Sequence, residues 1–105
     1  MSTATYTGID VQVNEEGFFT DPSMWTPEMA PLIASEIGIE ELTEEHWKVI
    51  NFVREKYLTT GSGPTVRVLG KTSGVSVKDL YRLFPKGPAK EAAKIAGIPK
   101  PVGCI

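Results

Sequence analysis

A single cysteine, Cys104, sets the first limit on this sequence. One thiol closes no internal disulfide, and with one histidine and no CxxC pair no metal centre is expected. No apolar run approaches the roughly 20 residues that cross a bilayer, so no membrane span is expected. The opening MSTATYTGIDVQV lacks the basic region and long apolar stretch of a secretion signal. The compartment expected from this is the reducing cytoplasm. GxSxG, P-loop and GxGxxG patterns are also missing, which removes common signs of serine hydrolase, NTPase and dinucleotide chemistry. No cofactor is expected. With neither internal repeats nor a linker, the 105 residues read as one domain, 1–105.

Bases are scarce in the first half. Residues 1–53 hold ten acidic side chains and one base, Lys48, whereas residues 54–105 hold ten bases and three acids. The net charge is only −2. Such asymmetry marks either a basic face for an acidic partner or nucleic acid, or two halves that offset each other across one small surface.

What is present divides into β and helical patterns. Ile9, Val11 and Val13 alternate with polar residues between turns at Gly8 and Asn14–Gly17, which predicts a short β-meander of three strands over 4–20. Residues 22–97 read as helices. Thr26 and Pro27 open one that stops at Gly38, with Pro31 at a position where a distortion is expected. Thr43 caps a second with Glu44 and Glu45 in its first turn, and Trp47, Ile50, Val53, Tyr57 and Leu58 follow at helical spacing to Gly61. This helix is the expected spine of the core. A short helix around Val66–Leu69 precedes Gly74, and Ser76 caps VKDLYRLF with Asp79 at the third position. Gly87-Pro88 opens the alanine-rich AKEAAKIA, which places Lys90 and Lys94 four apart on one face.

The last stretch, IPKPVGCI (98–105), has neither period. Pro99 and Pro101 favour an extended chain at about 3.1 Å per residue, so the steps from Ile98 to Cys104 cover on the order of 20 Å. Gly103 removes bulk beside the sulfur. A thiol reacts as its thiolate, and an unperturbed cysteine of pKa ~8.5 is only slightly ionised at neutral pH. Lys94, Lys100 and Arg82 are candidates to favour that ionisation. The competing reading of Cys104 is a small buried hydrophobe with the tail folded back. Having no second thiol, Cys104 can form a persulfide or a mixed disulfide with a partner.

Other candidates read as structural. His46, in the first turn of the main helix, is taken as a surface or capping residue. Trp25 and Trp47 read as core or core-edge. TVRVLGKTSGVSVKDLYRLF has the form of a helix-turn-helix, with Lys78 and Arg82 on one side of its second helix. A non-catalytic DNA-binding module is therefore an alternative, although Asp79 interrupts that basic face and the whole chain is acidic.

The run YRLFPKGPAKEAAKIAGIPKPVGCI resembles the C-terminal signature of the DsrC/TusE sulfur-relay proteins, which include the gamma subunit associated with dissimilatory sulfite reductase. GIDVQVNEEGFF, EEHWKVINFVREKY and TVRVL extend the resemblance, in family order, over nearly the whole chain. The implied fold is α+β, a small N-terminal β-meander on an orthogonal array of about five helices, with a mobile C-terminal arm over 98–105. The implied activity is sulfur transfer, with Cys104 receiving sulfane sulfur as a persulfide from an upstream donor protein. Delivery is then to an acceptor, a tRNA thiouridylase or a sulfite-reductase-type complex. Lys90, Lys94 and Lys100 would support the thiolate or dock an acidic partner; direct nucleic-acid binding is not expected. In sulfite-reductase-linked members of the family a second cysteine lies eleven residues upstream, and that position is Ala93 here. The resemblance therefore points to the single-cysteine, TusE-like branch and a tRNA 2-thiouridine relay, with a role in dissimilatory sulfur metabolism as the alternative.

Overall fold

The computed structural model describes residues 2–100. Thr7 and Gly8 both adopt positive φ, 54° and 80°, which builds the two-residue turn whose twist matches a tight hairpin. It joins β1 (Ser2–Tyr6) to β2 (Ile9–Val13), antiparallel, with Ala4 opposite Val11 and Tyr6 opposite Ile9. Val11 and Val13 are buried, but Ile9, beside the turn, is 39% exposed and does not share their core role. The anticipated third strand reduces to a single bridge, Val13 to Phe19. Asn14 is the cause: its Oδ1 accepts from the backbone N–H groups of Glu16 and Phe18 and folds the chain into a turn.

Two 3₁₀ turns, Pro22–Met24 and Pro27–Met29, lead into α1 (Ala30–Glu36). The helix expected from Thr26 is thus split. Pro31 has no N–H to donate, so the α-helical ladder starts afresh where that N–H is not needed. α2 runs Glu44–Thr60 and ends at Gly61 in the left-handed region (φ 84°). α3 (Val66–Thr72) and α4 (Val77–Leu83) are capped by Thr65 and Ser76, and α5 spans Pro88–Ile95. The architecture is α+β, one hairpin with five α-helices among the described residues.

α5, rather than α2, occupies the centre. It packs against α1, α2, α3 and α4. Its Ala89, Ala92 and Ala93 are almost wholly buried, and small side chains are what allow four neighbours to approach one helix. On the hairpin side Phe18 and Phe19 are buried, with Lys94 of α5 5.3 Å from the centre of the Phe18 ring and Phe19 stacked on Tyr6 at 6.2 Å.

His46 ties two helices together. Thr43 Oγ1 accepts from the His46 backbone N–H, and His46 Nδ1 accepts from the Thr43 N–H at 3.0 Å. Nδ1 is therefore unprotonated, and Nε2–H donates to the Leu83 carbonyl at the end of α4 at 3.0 Å. The ring meets Phe84 edge-on at 5.2 Å. Thr43→Ala removes one cap hydrogen bond and should cost about 1 kcal/mol. His46→Ala also removes the bond to Leu83 and the aromatic contact, so a loss of about 2–3 kcal/mol is expected. Denaturant titration of the two variants decides the matter: equal losses would mean that the α2–α4 link contributes nothing.

Candidate functional site

The place where the chain leaves the body is built by α5. Gly97 turns the backbone with φ 69°, and a Cβ there would come within 2.2 Å of the Trp25 ring. Ile98 then enters the core with no exposed surface, its N–H donating to the Ala93 carbonyl at 3.2 Å. Lys100 Nζ pairs with Glu16 at 3.1 Å. Ile98 and Lys100, placed by the sequence reading within the tail, are thus held against the body. Gly103 and Cys104 lie outside the described residues.

Side chains from two distant segments meet the same exit. Trp25 Nε1–H donates to the Ile95 carbonyl at 2.8 Å. The Arg54 guanidinium lies 4.5 Å over the Trp25 ring and donates to the carbonyls of Ala96 (3.0 Å) and Pro22 (2.8 Å). Sequence reasoning did not single out Arg54. Its only local mark is a base inside an otherwise amphipathic helix, and its partners are remote in the chain.

Beside the exit lies a cleft of about 360 Å³ lined by Glu16, Phe18, Glu36, Lys86, Lys90 and Lys94, with Ile37 and Glu91 completing it. Each carboxylate already has a donor. Glu91, nearly buried, accepts from the Lys86 backbone N–H at 3.0 Å, and Glu16 holds Lys100. Glu36 accepts from the Tyr6 hydroxyl at 2.7 Å, and burial together with that carboxylate pushes the Tyr6 pKa up. Among the described residues no ion pair engages Lys86, Lys90 or Lys94; Lys94 Nζ instead lies 5.3 Å from the centre of the Phe18 ring. Three lysines against three carboxylates leave the lining itself balanced, and Lys100 on Glu16 adds one positive charge beside the exit. The lysine side of the cleft can therefore meet an anion or acidic surface only locally.

The structure brings Lys90, Lys94 and, through Glu16, Lys100 to one region. Arg82 is elsewhere. It pairs with Glu45 at 3.0 Å and Asp79 at 3.4 Å, and the hydrogen bonds it donates to those carboxylates raise its pKa. Its charge is committed to the α2–α4 junction, and it does not line the cleft. Ala93 is fully buried on α5, under the root of the tail. No group of three His, Cys, Asp or Glu able to hold a metal occurs among the described residues, nor does any helix long and apolar enough to cross a membrane.

Comparison with known proteins gives consistent matches. The family described as "DsrC like protein" matches residues 5–105. The gamma subunit of the dissimilatory-type sulfite reductase of Nitratidesulfovibrio vulgaris is 40% identical over 105 residues, covering 100% of both chains. The sulfurtransferase TusE of Salmonella paratyphi A is 45% identical over 108 residues, covering 95% of this chain and 97% of that one. The solution structure of Allochromatium vinosum DsrC superposes with a TM-score of 0.82 at 44% identity, covering 98% and 97% of the two chains.

Proposed function

The chain belongs to the DsrC family, and from that premise we propose that it is a sulfur carrier whose working atom is Cys104 Sγ. The observation that carries this reading is the chain's only thiol, four residues beyond a root held by buried Ile98 and paired Lys100. Four chain steps from Lys100 limit the Cys104 Cα to about 14 Å from the Lys100 Cα. That is tighter than the ~20 Å inferred from Ile98 with PPII geometry.

The chemistry balances without an outside oxidant or reductant. The Cys104 thiolate attacks the outer sulfur of a donor protein's persulfide; that S–S bond breaks and the donor departs as a thiolate. Cys104 then holds the persulfide until an acceptor nucleophile attacks its outer sulfur and regenerates the thiolate. Lys90, Lys94 and Lys100 favour the anionic forms of the sulfur or guide an acidic partner, and Gly103 leaves room beside it. Ala93 at the second-thiol position keeps the cycle to one sulfur-bearing residue. Delivery is read as a step of a cytoplasmic tRNA 2-thiouridine relay with a thiouridylase-type acceptor, as the TusE-like resemblance of the single-cysteine tail implies. The relative's name, sulfurtransferase, supports sulfur transfer as such.

Incubation with a low-molecular-weight persulfide donor, followed by proteolysis and mass spectrometry, should place one added sulfur atom on the peptide containing Cys104. Absence of that adduct would overturn the reading. Reversing Lys90 and Lys94 together to glutamate should slow transfer to a protein acceptor roughly tenfold and flatten its salt dependence. An unchanged rate would remove both lysines from the account. A second reading, a subunit-like role beside sulfite reductase, is favoured by the full-length match to a gamma subunit. Co-purification with sulfite reductase subunits, undiminished by loss of Cys104, distinguishes it.

A further inference from the structure

We infer that Trp25 and Arg54 are positioning residues for sulfur transfer: they clamp the last turn of α5 so that the segment bearing Cys104 leaves from a fixed point. The last carbonyls of a helix have no partner within it. Here two successive carbonyls at the end of α5, Ile95 and Ala96, are taken by the Trp25 indole N–H and an Arg54 guanidinium N–H. The other arm of the guanidinium fork takes Pro22, beside Trp25, so the clamp is itself anchored. Its positive charge also sits at the negative end of the α5 dipole. Gly97 packs against the indole with no space for a Cβ, which leaves the turn after the helix little alternative.

Core filling alone does not account for this arrangement. Arg54 is half-buried, no carboxylate pairs with it among the described residues, and burial lowers its pKa. An apolar side chain would cover Trp25 without desolvating a charge. What arginine alone supplies is a rigid planar fork that holds two carbonyls and stacks on a ring at once. Among the described residues beyond the clamp, only Ile98 and the Lys100–Glu16 pair hold the chain, and that pair is solvent-exposed and weak. If the Lys100–Glu16 pair is lost with the clamp, buried Ile98 becomes the last fixed residue, and the chain steps to Cys104 rise from four to six. Such a change dilutes a tethered group about twofold.

The inference rests on Cys104 being the sulfur carrier, so its test uses a readout independent of sulfur loading. Cys104 is the only thiol, and a nitroxide attaches there selectively. Paramagnetic broadening of backbone amides then maps the positions that the label visits. In Arg54→Met the relaxation enhancement at the most affected amides should fall about twofold, with broadening spread over more of the surface. Arg54→Lys, which keeps the charge but loses the fork, should fall between. Trp25→Phe, which loses one hydrogen bond, should also spread the broadening, and these two milder variants supply the test if Arg54→Met does not fold. A folded variant with the wild-type broadening pattern would overturn the clamp while leaving the carrier reading intact. Conversely, absence of persulfide on Cys104 would remove the carrier reading whatever the broadening shows.

Discussion

Replacing Cys104 with alanine should reduce persulfide loading to background, the largest functional effect expected of any substitution in this chain. The reasoning is chemical. Sulfane sulfur transfer needs a thiolate that can form an S–S bond, and no other side chain in the sequence supplies one. A chain with two thiols has a fallback, because a neighbouring cysteine can be loaded or can trap the sulfur as a disulfide. Here the second position is Ala93, fully buried beneath Ile98, so no intramolecular rescue exists. Cys104→Ser should be equally inactive, since its oxygen forms no such bond. Intact-mass measurement after exposure to a persulfide donor checks both variants, with circular dichroism confirming that they fold. Loading that survives in Cys104→Ala would show that the sulfur is carried elsewhere or bound non-covalently.

Gly97→Ala should destabilise the fold more than a methyl group added at any other glycine among the described residues. Two costs coincide at this position. The backbone stands at φ 69°, where a Cβ costs an L-residue about 1–2 kcal/mol. That Cβ would also come within 2.2 Å of Trp25, a rigid ring pinned by its hydrogen bond to Ile95 and by Arg54 above it. Overpacking of this kind adds about 1–3 kcal/mol. The sum, about 2–5 kcal/mol, corresponds to a fall in melting temperature of roughly 10–30 °C for a domain of this length. Gly38→Ala is the matched control, because Gly38 has φ 92° with open space around it. It should show the conformational cost alone. Equal losses in the two variants would show that the Trp25 contact is easily relieved and the exit from α5 is not tightly built.

Element boundaries were legible in the sequence because they depend on neighbours a few residues away. Thr43, Thr65 and Ser76 accept hydrogen bonds from the N–H three residues on, and Gly61 stops α2. The α2 limits follow from Thr43 and Gly61 almost unaided. Pro31 announced a break, and the structure turns it into a 3₁₀ turn followed by a new helix start. The third strand failed for an equally local reason, since the Asn14 side chain outcompetes a strand ladder for the N–H groups of Glu16 and Phe18. That competition was readable in principle from an asparagine before two glutamates and a glycine.

The site divides differently. Cys104 and its spacing from Ala93 are one-dimensional facts, and with the family resemblance they point to sulfur transfer without any tertiary structure. Lys90 and Lys94 share a face because four residues make about one helical turn. Arg82 shows where such reasoning stops. Its helix face was readable, but its partner Glu45 lies on another helix, and that pairing withdraws it from the cleft.

The sequence by itself therefore determined where α2 begins and ends, where α4 begins, and that the chain holds a single thiol. These follow from covalent structure and short-range hydrogen bonding. Only the tertiary structure decided that α5 is the central helix, that Ile98 belongs to the core, and that Trp25 and Arg54 meet at the root of the tail. Those outcomes depend on burial and on hydrogen bonds between segments as far apart as Trp25 and Ile95, which packing brings together and no local pattern encodes.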